Sequence, residues 1–218
     1  MDGAREHDEP GQPKRGWFQN AKDLVLFPVR AAVSEERAER LGLTSLRTER
    51  FEQVLARSRG RLVDIGCEWN LLAREYRART GAPAFGLDVH LWAGVHVLIG
   101  GDGWLPLLDR SVDTVTIVAA LNHVERRSEI LREVARILRP GGRLIVTMID
   151  PLIGGVGHLL FWRWWDPDMR VRGIRERERW RLWPAEVRSL IAGAGLCLVQ
   201  ERRFVYGLNR IFVATRGN

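Results

Sequence analysis

Apolar residues fall at helical spacing through residues 17–58, where Leu46, Phe51, Val54 and Leu55 follow Thr44 or Ser45 as a plausible N-cap. Gly60 ends that run, and the pattern then changes to short apolar stretches. Residues 61–66 read as a strand entering a tight turn, followed by a helix at about 69–79. Further strands are expected at 83–88, 95–99, 112–118 and 143–148. Ile130, Leu131, Val134, Ile137 and Leu138 give a helix over 129–138, stopped by Pro140-Gly141-Gly142. Strands that alternate with helices and are nearly continuously apolar predict a parallel sheet covered on both faces. The stretch from Asp88 to Asp102 leaves barely a turn for a helix between the second and third strands.

Beyond Pro151 the pattern breaks. Residues 151–183 hold Gly154-Gly155, Phe161, Trp162, Trp164 and Trp165 and then a charged run, an insertion placed where a lid would sit. A helix over 184–194, with Pro184 in its first turn, precedes two strands at 196–205 and 209–215, expected to be antiparallel. The whole reads as one domain over 17–218 behind a polar, disordered tail at 1–16.

Composition changes this picture little. At 218 residues, with 45% apolar and 28% charged residues, the chain has material for a full core and no apolar run of about 18 residues that would span a membrane. No signal core is visible in the tail, and a cytoplasmic protein is expected. The net charge of +7 raises nucleic acid as a partner. However, Lys14 and Lys22 are the only lysines, and the arginines scatter among acidic neighbours, which argues against a binding stripe. Nucleic-acid binding would show as affinity that falls steeply with salt. Cys67 and Cys197 lack metal-ligand spacing and sit in apolar segments, so both are expected to be buried thiols.

In open α/β sheets ligands bind outside the carboxyl ends of the strands. Asp64 ends the first strand and precedes Gly66, whose missing Cβ permits a sharp turn. Asp88 ends the second strand about 20 residues beyond that turn, where a carboxylate can accept both hydroxyls of a ribose. Asp102 follows the third strand in Gly100-Gly101-Asp102-Gly103, whose glycines would let a flat ring approach the backbone. Each acid alone is explained as a cap or turn former. Three at successive strand ends point to a nucleoside site.

The stretches VDIGC at 63–67, GLDVH at 86–90, GDGWLPLLDRSVDTVTIVAALNHV at 101–124 and REVARILRPGGRLIVTMI at 132–149 resemble the successive motifs of small class I S-adenosylmethionine-dependent methyltransferases of the type 11 kind. The likeness covers residues 58–150 and extends to the C-terminal EVRSLIAGAGL and RFVYGLNRIFVATR. It implies a Rossmann-like doubly wound α/β sheet of order 3-2-1-4-5-7-6 with strand 7 antiparallel. It also implies S-adenosylmethionine as cofactor, with Asp64 and Gly66 near its methionine part and Asp88 on its ribose. Asp102 and the Gly103 amide would meet the adenine, and Val118 and Ala119 would line the floor. Cys67, Glu68 and Val89, adjoining those positions, complete the expected cofactor-binding set.

The chain departs from the family where further glycines are usual, carrying Glu68, Trp69 and Asn70 instead. Glu68 would repel the methionine carboxylate or attract its amino group. Trp69, Trp92 and Trp104 follow the first three strands, where they would either stack on adenine or fill the pocket. His123, with Asn122 beside it, is the best-placed general base; otherwise it caps the end of the fourth strand. Asp150, His158 and Tyr206 are weaker candidates, and no metal cluster stands out. The apolar insertion suggests a cover over the core, a contact between two copies of the chain, or a pocket for an apolar or aromatic small substrate. The expected function is methyl transfer to an O or N atom of such a metabolite. The competing reading is the same fold with methyl transfer lost, serving as a binding or scaffold protein or running other chemistry in that cleft.

Overall fold

The computed structural model describes residues 16–151 and 182–217. The aromatic insertion and the N-terminal tail therefore lie outside the described residues, apart from positions 16, 151, 182 and 183. The chain divides into two compact units, residues 1–57 and 58–218.

The first unit consists of α1 (Trp17–Val25), α2 (Phe27–Ala32), α3 (Glu35–Arg40) and α4 (Leu46–Leu55). Of the two expected N-caps for α4, Ser45 takes the role, its hydroxyl accepting from the Thr48 amide. Polar side chains tie these short helices together. Buried Asp23 accepts from the Thr44 amide at 3.0 Å, and Arg30, buried in α2, reaches Glu49 at 2.6 Å.

The second unit is a seven-stranded sheet of order β3-β2-β1-β4-β5-β7-β6. Its strands are β1 (Leu62–Ile65), β2 (Ala84–Asp88), β3 (Val97–Leu98), β4 (Val112–Val118), β5 (Leu138–Ile149), β6 (Leu196–Phe204) and β7 (Asn209–Arg216). Strands β1 to β5 pair in parallel, and β7 runs antiparallel between β5 and β6. The expected order and the expected antiparallel strand are both present. Helix α5 (Leu71–Thr80) joins β1 to β2, α6 (Arg127–Ile137) joins a short 3-10 turn at Leu121–His123 to β5, and α7 (Pro184–Gly193) precedes β6.

Alternation along the strands divides the core. Val63, Ile65, Leu87, Val115, Ile117, Leu144 and Val146 pack with Ile130, Leu131, Val134 and Ile137 of α6 and Val187 and Ile191 of α7. Leu72, Ala73 and Tyr76 are the buried residues of α5, and the Tyr76 hydroxyl donates to the Gly60 carbonyl at 2.8 Å.

Three expectations shift. Strand β5 begins at Leu138, before Pro140-Gly141-Gly142, because Leu138 is already extended and pairs with Val112 across a register break. Strand β3 is two residues long, not five, with no helix between it and β2. Cys67 is buried as expected, but Cys197 is exposed. It lies on β6, an edge strand of the sheet among the described residues, so its apolar sequence context does not bury it.

Candidate cofactor site

β1 lies between β2 and β4, all three parallel, so their carboxyl ends stand side by side. Asp64 is buried within β1, and the Thr116 hydroxyl of the neighbouring β4 donates to its Oδ1 at 2.6 Å. Burial, more than the Thr116 bond can offset and with Asp88 adding repulsion, pushes its carboxyl up to about 7. Gly66 turns with φ +72°, and a Cβ there would stand 2.6 Å from the Ala120 Cβ. The glycine is thus required by the packing of β1 against the end of β4. Ala119, the first residue past β4, also has positive φ (+53°) and is held by Thr147, whose carbonyl and hydroxyl oxygens both accept from its amide at 3.1 Å. Val118 ends β4 beside it and is half-buried.

The loop from Gly66 to Asn70 spends its amides inside the protein. Gly66 and Cys67 donate to the Leu87 carbonyl at 2.8 and 3.2 Å. The Glu68 amide donates to Asp88 Oδ2 at 2.9 Å, and the His90 amide donates to the other oxygen at 2.9 Å. A carboxylate offers about four lone-pair sites. Two amides leave Asp88 with acceptor capacity for a pair of hydroxyls. Cys67 turns its thiol beneath the loop, against Gly86, where a Cβ would lie 2.6 Å from the sulfur. Burial, with Asp64 and Asp88 next, pushes that thiol up, which keeps it protonated.

Glu68 occupies a left-handed conformation (φ +48°) that glycine adopts without cost. A Glu68→Gly variant is expected to bind S-adenosylhomocysteine up to about fivefold more tightly, the range of a part-exposed charge contact, with stability within about 1 kcal/mol of wild type. Calorimetric titration with thermal melts checks both. Weaker binding would assign Glu68 to the ligand's cationic end.

The remaining expected residues are placed as follows. Val89 is exposed beyond β2. Asp102 is exposed, and its Oδ1 accepts from the Trp104 amide two residues on, at 3.3 Å. Gly103 is buried, with φ +88°, and a Cβ there would meet the Glu129 Cβ at 2.7 Å, so contact with α6 explains this glycine without a ligand. His123 is exposed on the 3-10 turn, with its Nε2 3.0 Å from Asn122 Nδ2. Asp150 is buried and paired with Arg210 and Arg203, Tyr206 is exposed, and His158 lies outside the described residues. Trp69 and Trp92 pack on each other with ring centroids 5.1 Å apart. Trp69 and Trp104 stay well exposed, so neither is sequestered in the core.

Sequence reasoning missed Thr116 and His96, and named Asn70 only as a departure from the family's glycines. Thr116 had a signal: with Thr114 it is a polar residue at alternate positions of an otherwise apolar strand. Both are fully buried, Thr114 closing on the backbone of Arg59 and Thr116 on Asp64.

Comparison with known proteins agrees with this geometry. A family model described as a methyltransferase domain matches residues 63–146. The ubiquinone biosynthesis O-methyltransferase of Cupriavidus pinatubonensis is 29% identical over 171 residues, covering 72% of this chain and 68% of that protein. The demethylmenaquinone methyltransferase of Corynebacterium efficiens is 39% identical over 88 residues, covering 35% of this chain and 38% of that one. Among solved structures, a putative methyltransferase of Haloferax volcanii, in complex with the Trm112 methyltransferase activator, superposes with a TM-score of 0.59. That likeness, at 19% identity over 77% of this chain and 88% of the other, is one of fold.

The sheet order and the antiparallel seventh strand are those of class I methyltransferase folds, with buried acids within β1 and at the end of β2. Residues 63–146 match a methyltransferase domain family, and the chain is similar over most of its length to S-adenosylmethionine-dependent methyltransferases. S-adenosylmethionine is the cofactor that these similarities imply, and the two backbone amides on Asp88 leave its carboxylate acceptor capacity. Among the described residues no helix is long and apolar enough to cross a membrane.

Proposed function

We propose that this protein transfers a methyl group from S-adenosylmethionine to an O or N atom of a small apolar or aromatic metabolite. The observation that carries the proposal is Asp88: buried at the end of β2, its carboxylate is oriented by two backbone amides and retains acceptor sites. Relatives named for ubiquinone and menaquinone biosynthesis support an aromatic acceptor. Bound cofactor supplies an electrophilic methyl carbon on a sulfonium. The chain's contribution is positioning, since an in-line displacement depends chiefly on orientation. Asp88 would hold the ribose hydroxyls and Asp64 would face the methionine end. Ala119 and Val118 would form the floor, and Asp102 and Gly103 would sit at the adenine edge. His123 is the proposed base, with Asn122 holding its ring.

Removing Asp88 tests this. Two hydrogen bonds to a charged acceptor contribute about 1.5–3 kcal/mol each, so Asp88→Ala should weaken S-adenosylhomocysteine binding by roughly a hundredfold or more. A folded variant, by circular dichroism, with undiminished affinity would refute the assignment. One feature favours a second reading, a binding or scaffold protein on the same fold. The Glu68 amide closes on Asp88 and Trp69 leans on Trp92, a loop that holds itself together without ligand. No calorimetric binding of either cofactor form at millimolar concentration would decide for it.

A further inference from the structure

The eight residues between β2 and β3 contain no helix, yet they are fixed in place by polar contacts. Asn70, in the left-handed conformation (φ +57°) at the start of α5, donates from Nδ2 to the Gly94 carbonyl at 2.7 Å and lies 3.0 Å from His96 Nδ1. The Gly86 amide donates to the same ring nitrogen at 3.0 Å, and the His96 amide returns a bond to the Gly86 carbonyl. Gly86 has to be glycine here, because a Cβ would collide with Asn70 and Cys67. The segment so tethered carries Trp92, packed on Trp69, and its first residues include His90, whose amide helps to orient Asp88.

We propose that Asn70 and His96 are positioning residues for the ribose side of the cleft, replacing a crossover helix with a polar staple that a second proton on the His96 ring opens. Its effect on ligand binding rests on the cofactor reading above; the staple itself does not. Nδ1 accepts from Gly86, which puts the ring proton on Nε2, where it faces Arg77 Nη1, itself a donor, in a charge contact and not a hydrogen bond. A second proton would set an N–H at Nδ1 against two N–H donors. It would also add a positive charge beside Arg77, whose Nη1 lies 3.1 Å from Nε2. Arg77, from α5, is the charged group facing the ring; β2 presents the Gly86 amide and the Phe85 ring edge, and Asn70 presents its amide, none of which titrates. Partial desolvation of the ring first and Arg77 second lower the His96 titration point below the ordinary 6.5, although the residue is exposed. The staple is therefore complete above 6.5 and is lost as pH falls through the lowered value.

The experiment follows tryptophan emission of ligand-free protein from about pH 8 to about pH 5, with S-adenosylhomocysteine affinity measured at both ends. Wild type should show a transition below pH 6.5 that Trp92→Phe removes. His96→Asn keeps an acceptor for the Gly86 amide without titrating and should abolish the transition. His90, edge-on to Trp92 with centroids 6.1 Å apart, is the competing quencher, so His90→Gln should leave the transition in place. Asn70→Ala should give the acid-form emission at every pH. Affinity should fall about tenfold further on acidification in wild type than in His96→Asn, a difference worth about 1.4 kcal/mol; Asp64 titrates in both and cancels. A transition that survives in His96→Asn, or disappears in His90→Gln, overturns the proposal, as does no transition at all. Failure to bind ligand at any pH would sink the cofactor reading alone, since the emission series still decides the staple.

Discussion

An Arg210→Met variant is expected to unfold about 3 kcal/mol more readily than wild type. Arg210, on β7, has its side chain 13% exposed and donates to Asp150 Oδ2 at 3.1 Å and to Glu201 on β6. Glu201 also accepts from Arg188 of α7 at 2.9 Å, so one guanidinium links the ends of β5 and β6 to a helix. Burial alone would lower the Arg210 titration point, and the bonds from Glu201 and Asp150 outweigh it, raising it. Removing the guanidinium strands Asp150, 4% exposed, with Arg203 3.6 Å away as a weaker partner. An uncompensated buried charge costs about 3–5 kcal/mol, and Arg203 places the effect at the low end. For a chain of this size that is a fall in melting temperature of roughly 6–12 °C. The double variant Arg210→Met with Asp150→Leu should recover most of the loss, because Glu201 keeps Arg188 and the Arg203 side chain, 59% exposed, is solvated. Equal melting of wild type and Arg210→Met would show that the network contributes only on paper.

That network was not legible in the sequence, although each member was visible as a charged residue. Its members come together across 60 residues of chain, through the antiparallel pairing of β7 with β5 and β6. The same holds for Asn70 and His96, which meet only because the crossover is short. What could be read was local. The bounds of β4 match the run at 112–118, which is mostly apolar, as expected of a central strand covered on both faces. Asp64 and Asp88 stood out because, with Asp102, they mark the ends of three successive strands, where open α/β sheets bind their ligands. Gly66 stood out for a sharp turn and Gly103 for the approach of a flat ring, whereas the structure gives each a packing reason. Gly66 makes room for Ala120 and Gly103 makes room for Glu129, contacts set by tertiary packing. The length of β3 and the exposure of Cys197 failed together, because apolar content says little about burial at the two edges of a sheet.

Asp64 should show opposing effects on stability and on ligand binding. Its carboxyl, ordinarily near 3.8, is held at about 7 in the folded chain, chiefly by burial. Because the folded value is raised, the stabilisation is fully present below pH 3.8 and drains away as pH climbs through 7. Each pH unit between those points is worth about 1.36 kcal/mol, so wild type gives up about 4 kcal/mol over that interval. Asp64→Asn keeps an oxygen for the Thr116 hydroxyl and has nothing to ionise. At pH 4 the two proteins should melt together; at pH 8 the variant should be more stable by a few kcal/mol. Its binding of S-adenosylhomocysteine should nonetheless weaken, because the methionine ammonium loses a carboxylate in a site that screens charge poorly. Denaturant melts at both pH values with parallel calorimetry separate the two effects. If the variant is the less stable protein at pH 8, the carboxyl is ionised and satisfied in the ligand-free fold. A variant that is stabilised and binds as tightly as wild type would instead leave Asp64 a buried acid with no part in holding the cofactor. A gain in stability matched by a loss of affinity is the signature of a residue kept for its ligand.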